Sequence, residues 1–122
     1  MTFFTIYHNP ACSKSRQTLA LLQEHGIEPE QRLYLKAPLN NEEVRQLIKA
    51  LGGDVRQLLR DTEAEYQALG LANAALSEDA LIDALVQNPR LLQRPVVVKG
   101  TRAVIGRPPE NVLQLINPGD SQ

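Results

Sequence analysis

The chain has 122 residues, of which 43% are hydrophobic and 22% are charged, and its formal net charge is −1. This composition is typical of one folded domain with its own hydrophobic core. The near-neutral charge argues against general binding to nucleic acid or to an acidic membrane surface, so any anion site must be local. The single cysteine excludes an internal disulfide and a cysteine-rich zinc site.

The hydropathy of the chain indicates neither a targeting segment nor a membrane span. The N-terminus lacks a basic stretch followed by an apolar one, and no apolar run is long enough to cross a bilayer. We therefore expect a cytoplasmic protein that forms one domain over residues 1–122. We also expect it to be a monomer.

The first third of the chain predicts a βαβ unit. Residues 3–7 are aromatic or β-branched, as in a short buried strand. Residues 15–25 are rich in helix formers and are followed by Gly26, a suitable residue just beyond a helix end. Residues 27–35, which become apolar toward their end, predict a second strand joined through a right-handed crossover.

The middle of the chain, from about residue 40 to residue 92, predicts a block of helices inserted between strands. Asn40 and Glu43 give the pattern of a helix start, and the glycine pair at residues 52–53 gives a stop. Between them the apolar residues recur at helical spacing. Shorter helices are expected at residues 54–59, after a capping box that begins at Thr62, and after a cap at Ser77.

The last third predicts a β-hairpin followed by a helix. Residues 95–98 and 102–106 are rich in valine and isoleucine and flank a turn at residues 99–101. Two prolines, Pro108 and Pro109, open a final helix. The order βαβ, helices, ββα therefore predicts an α/β fold with a mixed sheet and a helical insertion.

Cys12 lies where the first predicted strand gives way to the first predicted helix. Unpaired N–H groups and the positive end of the dipole at a helix start favour the thiolate, which is the nucleophilic form of cysteine. The alternative is a buried structural cysteine. It fits poorly, because the neighbouring polar side chains would be costly to bury without partners. These neighbours are His8, Asn9, Lys14, Ser15 and Arg16.

The spacing around Cys12 excludes two common cysteine motifs. A C-x-x-C dithiol site is excluded because residue 15 is Ser15, and a C-x5-R phosphatase loop is excluded because residue 18 is Thr18. The remaining pattern is a monothiol C-x-x-S. A catalytic cycle that oxidises or covalently loads Cys12 would then need an external thiol.

Three arginines, Arg60, Arg94 and Arg107, fall near the ends of predicted elements. The planar guanidinium can bind a tetrahedral oxyanion through two hydrogen bonds, so a cluster of arginines would hold such a substrate. Most arginines are instead solvated or ion-paired on the surface. The sequence does not show whether these three arginines lie close together in the fold, so both interpretations stay open.

Taken together, these residues resemble the glutaredoxin-coupled arsenate reductases from about residue 4 to residue 116. The matching motifs are H-N-P-x-C-x-x-S-R at residues 8–16, Arg60, Leu81-Ile82-Asp83, Arg94-Pro95 and Gly106-Arg107-Pro108. Two features differ from the best-characterised members: Ser13-Lys14 replaces Gly-Thr after the cysteine, and a longer C-terminal extension is lacking. In these features the chain resembles a housekeeping branch of the family.

The resemblance implies a thioredoxin-like fold with a helical insertion and a set of functional residues. Cys12 would be the nucleophile, His8 would favour its thiolate, and Ser15 would hydrogen-bond to it. The oxyanion ligands would be Arg60, Arg94 and Arg107. Pro95 would be the cis-proline that such folds place opposite the active-site loop. The supporting residues would be Asn9, Lys14, Arg16 and Pro95.

The resemblance also implies a reaction. Arsenate, or a similar oxyanion, would be reduced to arsenite after attack by the Cys12 thiolate, with glutathione as co-substrate and glutaredoxin as protein partner. No bound metal or prosthetic group is expected, and neither nucleic acid nor a membrane is expected as a partner.

Two other functions stay open. The C-x-x-S spacing permits a monothiol glutathione-dependent oxidoreductase that acts on glutathionylated proteins. Related thioredoxin-like proteins with this insertion include RNA polymerase-binding regulators, so a non-enzymatic regulator is a third possibility. Those regulators commonly carry a C-x-x-C switch, which this sequence lacks.

Overall fold

A computed structural model describes residues 3–116. The described chain divides into two compact units: one combines residues 3–34 with residues 94–116, and the other is Leu35–Gln93. The predicted insertion at residues 40–92 falls within the second unit. That the whole chain forms one domain stays a prediction, and the two ends of the range 1–122 lie outside the described residues.

The first unit contains a four-stranded mixed sheet in the order β2-β1-β3-β4. Its strands are β1 (Phe4–Tyr7), β2 (Glu30–Arg32), β3 (Val96–Lys99) and β4 (Arg102–Ile105). The β1 strand pairs parallel with β2 and antiparallel with β3, and β3 pairs antiparallel with β4. These pairings confirm the α/β class, the βαβ unit and the hairpin that the sequence predicts.

Helix α1 (Ser13–Glu24) connects β1 to β2 and packs with a 3₁₀ helix at Pro109–Leu115. The last helix is thus 3₁₀ rather than α. The repeat of three residues per turn puts Val112 and Leu115 on one face, where both are fully buried. The core of this unit consists of Phe4, Ile6, Leu22, Ile27, Val97, Val112 and Leu115.

The second unit is helical. It contains α2 (Asn41–Ala50), α3 (Ala64–Ala68), α4 (Glu78–Gln87) and two 3₁₀ segments at Val55–Leu58 and Pro89–Leu91. Within this unit α4 packs against α2 and both 3₁₀ segments. Within residues 3–116, no helix is both long and apolar enough to span a membrane.

Two helix starts in this unit follow the sequence prediction. The Asn40 side chain accepts from the Glu43 N–H at 2.8 Å, and the Glu43 carboxylate accepts from the Asn40 N–H at 3.0 Å. The Ser77 hydroxyl accepts from the Ala80 N–H at 3.1 Å. Both caps satisfy N–H groups that have no partner inside the helix.

Two local predictions were wrong. The second strand is limited to Glu30–Arg32, because the apolar run that follows it is a turn in which Tyr34 is fully buried. The capping box expected at Thr62 does not form. Glu63 is the N-cap residue and makes no side-chain cap bond. Its carboxylate instead lies 3.6 Å from the guanidinium groups of Arg60 and Arg90.

Candidate functional site

Cys12 is the N-cap residue of α1 and is partly exposed. Its N–H donates to the Asn9 carbonyl at 2.9 Å, and the Ala11 N–H donates to the Asn9 side-chain oxygen at 3.0 Å. Asn9 therefore folds the loop so that Cys12 starts the helix. The sulfur then faces the free N–H groups of the first helical turn.

The pKa of the Cys12 thiol is lowered. Burial alone would raise it, but interactions of the thiolate with the backbone N–H of Ser15, the Arg94 guanidinium and the backbone N–H of Lys14 outweigh burial, and the charge of Arg94 adds to them. Cys12 makes no regular side-chain cap hydrogen bond at the start of α1. The thiolate is therefore favoured, as the sequence predicts.

Arg94 and Arg107 lie beside the Cys12 sulfur. The Arg107 Nη1 is 3.9 Å from the sulfur and donates to the Arg94 carbonyl at 3.1 Å. Both residues precede prolines in cis peptide bonds, Arg94–Pro95 and Arg107–Pro108. The first of these agrees with the cis-proline expected at Pro95. Two of the three predicted arginines thus lie beside Cys12, which gives the site a local positive charge.

His8 and Ser15 form a buried pair next to this loop. The His8 Nδ1 lies 2.6 Å from the Ser15 hydroxyl, which also accepts from the Asn9 N–H at 3.0 Å. Burial lowers the pKa of His8, and the charge of Arg16 lowers it further. The lowered pKa favours the neutral imidazole. The role of His8 in favouring the thiolate stays a prediction.

Ser15 interacts with the Cys12 sulfur through its backbone N–H, which lowers the pKa of the thiol. Its hydroxyl forms hydrogen bonds with His8 and Asn9. Arg16 extends from the exposed side of α1 and donates to the Pro10 carbonyl at 2.8 Å. This bond supports the loop. Lys14, like Ser15, interacts with the Cys12 sulfur through its backbone N–H. The backbone N–H groups at the helix start therefore favour the thiolate more directly than the side chains of Lys14 and Arg16 do.

Arg60 belongs to the second unit. Its guanidinium donates to the Gln93 side chain at 3.2 Å and to the Thr62 hydroxyl at 3.4 Å, and its Nε lies 3.6 Å from the Glu63 carboxylate. Its role as an oxyanion ligand stays a prediction.

Thr18 and Gly106 are absent from the predicted site residues, yet both are buried close to it. Thr18 is fully buried on α1, and its hydroxyl lies 3.3 Å from the carbonyl oxygen of Gly106, the residue before Arg107. Thr18 lies six positions after Cys12, and in the sequence it served only to exclude the C-x5-R phosphatase loop. A polar residue on the buried face of an amphipathic helix was the signal that could have identified it.

The geometry suits nucleophilic chemistry on an anion. A stabilised thiolate attacks an electrophilic atom, and two guanidinium groups beside it can hold the negative oxygens of that substrate. Among residues 3–116, no group of three or more His, Cys, Asp or Glu side chains could hold a metal ion.

A sequence model described as the ArsC family matches residues 7–115 of the chain. The chain belongs to the ArsC family. An arsenate reductase of Haemophilus influenzae is 46% identical over 112 residues, which cover 91% of this chain and 97% of that protein. The uncharacterized protein YfgD of Escherichia coli K12 is 54% identical over 112 residues, which cover 91% of this chain and 94% of that protein.

Among solved structures, an arsenate reductase from Vibrio cholerae superposes with a TM-score of 0.91 at 45% identity. The match covers 94% of this chain and 98% of that chain. It confirms the predicted thioredoxin-like fold of the ArsC family. The family match over residues 7–115 includes Cys12, Arg94 and Arg107.

Proposed function

We propose that this ArsC-family chain is an arsenate reductase that uses Cys12 as its nucleophile, glutathione as co-substrate and glutaredoxin as protein partner. The observation that carries the proposal is the contact between the Arg107 guanidinium and the Cys12 sulfur, with Arg94 lowering the pKa of the same thiol. The similarity to proteins described as arsenate reductases supports it. The proposed cellular location is the cytoplasm, and the proposed state is a monomer.

In the proposed cycle, the Cys12 thiolate attacks the arsenic of arsenate, and one oxygen leaves as water. The glutathione sulfur displaces a second oxygen, again as water. A glutaredoxin thiolate then attacks the glutathione sulfur and forms a disulfide, and the electron pair of the broken sulfur–arsenic bond stays on arsenic, which becomes trivalent. Hydrolysis of the remaining bond releases arsenite and the Cys12 thiol.

The chain's own residues prepare the first step. The N–H groups of Ser15 and Lys14 and the guanidinium of Arg94 favour the thiolate. Arg94 and Arg107 bind the arsenate oxygens while the negative charge on those oxygens redistributes during the reaction. Arg60 is the third proposed ligand. Because Cys12 is the single cysteine of the chain, the second thiol must come from outside.

A coupled assay tests the proposal. Consumption of NADPH is followed with arsenate, glutathione, glutaredoxin and glutathione reductase, with Cys12→Ser as the control that lacks the nucleophile. Turnover that requires arsenate and Cys12 is expected. Absence of arsenate-dependent turnover in the wild-type protein would overturn the proposal.

The monothiol oxidoreductase remains the second candidate, because Ser15 occupies the position of a resolving cysteine and its hydroxyl is bonded to His8. The same assay distinguishes the two functions when a glutathionylated protein replaces arsenate. Activity on the mixed disulfide without activity on arsenate would favour the monothiol function.

A further inference from the structure

Thr18 lies one helical turn beyond Lys14 on α1, and its side chain is fully buried. Its hydroxyl oxygen lies 2.8 Å from the Lys14 carbonyl oxygen and 3.3 Å from the Gly106 carbonyl oxygen. A hydroxyl has one proton, so the two carbonyls share this donor. The Thr18 side chain therefore links the first turns of α1 to the residue that follows β4.

Gly106 is packed too closely for a side chain. A Cβ atom there would lie 2.6 Å from the Thr18 hydroxyl oxygen and 2.9 Å from the Cγ of Pro95. The Gly106 N–H also donates to the Pro95 carbonyl at 2.9 Å. Its φ lies outside the left-handed region, so space rather than backbone freedom requires glycine here.

Arg107 follows directly, so the position of the Gly106 backbone decides where the Arg107 side chain begins. We propose that Thr18 is a positioning residue, whose hydroxyl holds the Gly106 backbone against α1 and thereby keeps the Arg107 guanidinium beside the Cys12 sulfur. The inference rests on the proposed function, because it assigns Arg107 to oxyanion binding. Its consequence is that a residue with no access to substrate controls the affinity for the anion.

Thr18→Val isolates the hydroxyl. Valine keeps the branched shape and nearly the same volume, but leaves the Gly106 carbonyl without its Thr18 donor. Thr18→Ser keeps the hydroxyl and loses only the methyl group. Thr101→Val, at the exposed turn of the hairpin, is the control for the same exchange without the buried contact.

The readout is protection of Cys12 from iodoacetamide, measured at fixed pH with increasing arsenate and, separately, sulfate. It needs neither glutathione nor glutaredoxin. We expect Thr18→Val to raise the anion concentration needed for half-protection by about three- to tenfold. Interaction energies between contacting residues correspond to fold-changes of this order. Thr18→Ser should restore protection to within about twofold of wild type. In an Arg107→Ala background, Thr18→Val should have no further effect.

Gly106→Ala is the second variant, should Thr18→Val fail to fold. The added Cβ must displace Thr18 or Pro95, so weaker protection is expected.

Wild-type protection in Thr18→Val would overturn the inference. Where Thr18→Val fails to fold, wild-type protection in Gly106→Ala would overturn it. An equal loss from Thr18→Val with and without Arg107 would also overturn it, because Thr18 would then act through something else. If Arg107→Ala alone protects as well as wild type, the proposed oxyanion site fails and this inference fails with it. If Arg107→Ala weakens protection but the Thr18 and Gly106 variants do not, only the inference fails.

Discussion

The Arg107 Nη1 lies 3.9 Å from the Cys12 sulfur, although the two residues are 95 positions apart in the chain. Sheet pairing explains this proximity. The β1 strand leads into the Cys12 loop and pairs with β3, while β4 continues from the hairpin and leads into Arg107. Since Arg94 precedes β3, the same hairpin carries two arginines to the helix start. The sheet therefore builds the cationic surroundings of the thiolate.

The first prediction concerns the acidity of Cys12. Its alkylation rate, measured with iodoacetamide against pH, should have a midpoint below the ordinary thiol value of about 8.5. The physical reason is that the helix N–H groups and Arg94 stabilise the thiolate more than burial disfavours it. Cys12→Ser is the control and should not react. A midpoint at or above about 8.5 would contradict the site described for Cys12.

The same shift predicts a pH dependence of stability. Because the folded-state pKa of Cys12 lies below that of the unfolded chain, the thiolate stabilises the folded protein fully above the unfolded pKa. This contribution is lost as pH falls toward the folded-state pKa. Urea unfolding of wild type and Cys12→Ser across this range measures it. Parallel stability curves for the two proteins would contradict the prediction.

The second prediction concerns Arg94 and Arg107, the two arginines beside the Cys12 sulfur. Arg94→Ala should raise the midpoint of Cys12 alkylation, because Arg94 contributes both a hydrogen bond and a charge to the thiolate. Each of Arg94→Ala and Arg107→Ala should weaken arsenate use by about ten- to a hundredfold, since a charge-assisted hydrogen bond is worth about 1.5–3 kcal/mol. Steady-state kinetics with varied arsenate measure the loss.

Lysine variants at these two positions test the geometry of the contact. Lysine keeps the positive charge but lacks the planar fork, so Arg94→Lys and Arg107→Lys should recover only part of the lost activity. Full recovery by lysine would mean that charge alone matters. Unchanged arsenate kinetics in both alanine variants would mean that the site around Cys12 serves another anion or glutathione.

The third prediction concerns His8. Its pKa is lowered by burial and by Arg16, so the unfolded chain binds more protons at this residue than the folded chain. Stability should therefore fall as pH drops from about 6.5 through the lower folded-state pKa. His8→Asn should reduce that fall in urea unfolding experiments. His25→Asn, at the other histidine of the chain, is the control. An identical pH dependence in wild type and His8→Asn would refute a neutral, buried His8.

The fourth prediction concerns Arg60 in the second unit. Arg60→Lys should weaken arsenate use if this guanidinium binds the oxyanion, by up to about a hundredfold. Arg90→Lys is a matched control, because Arg90 also lies 3.6 Å from the Glu63 carboxylate but is 69% exposed. Similar kinetics in the two variants would remove Arg60 from the proposed ligands.

Local signals in the sequence were sufficient where the interactions are local. The Asn40 and Glu43 pattern predicts a cap that joins residues three positions apart. The β-branched runs on either side of Gly100 predict a hairpin whose strands are neighbours in sequence. At Thr62 the same reasoning failed, because the helix begins one residue later with Glu63 as its N-cap residue, and the Thr62 hydroxyl accepts from Arg60.

The sequence by itself determined the candidate nucleophile, since Cys12 is the single cysteine and lies where a helix begins. Only the tertiary structure decided which groups surround it. The contacts of Arg94 and Arg107 with the sulfur, and the link from Thr18 to Gly106, depend on the pairing of β1 with β3. The physical reason is that helix starts arise from neighbouring residues, whereas a converging charge cluster arises from strand register and packing between distant segments.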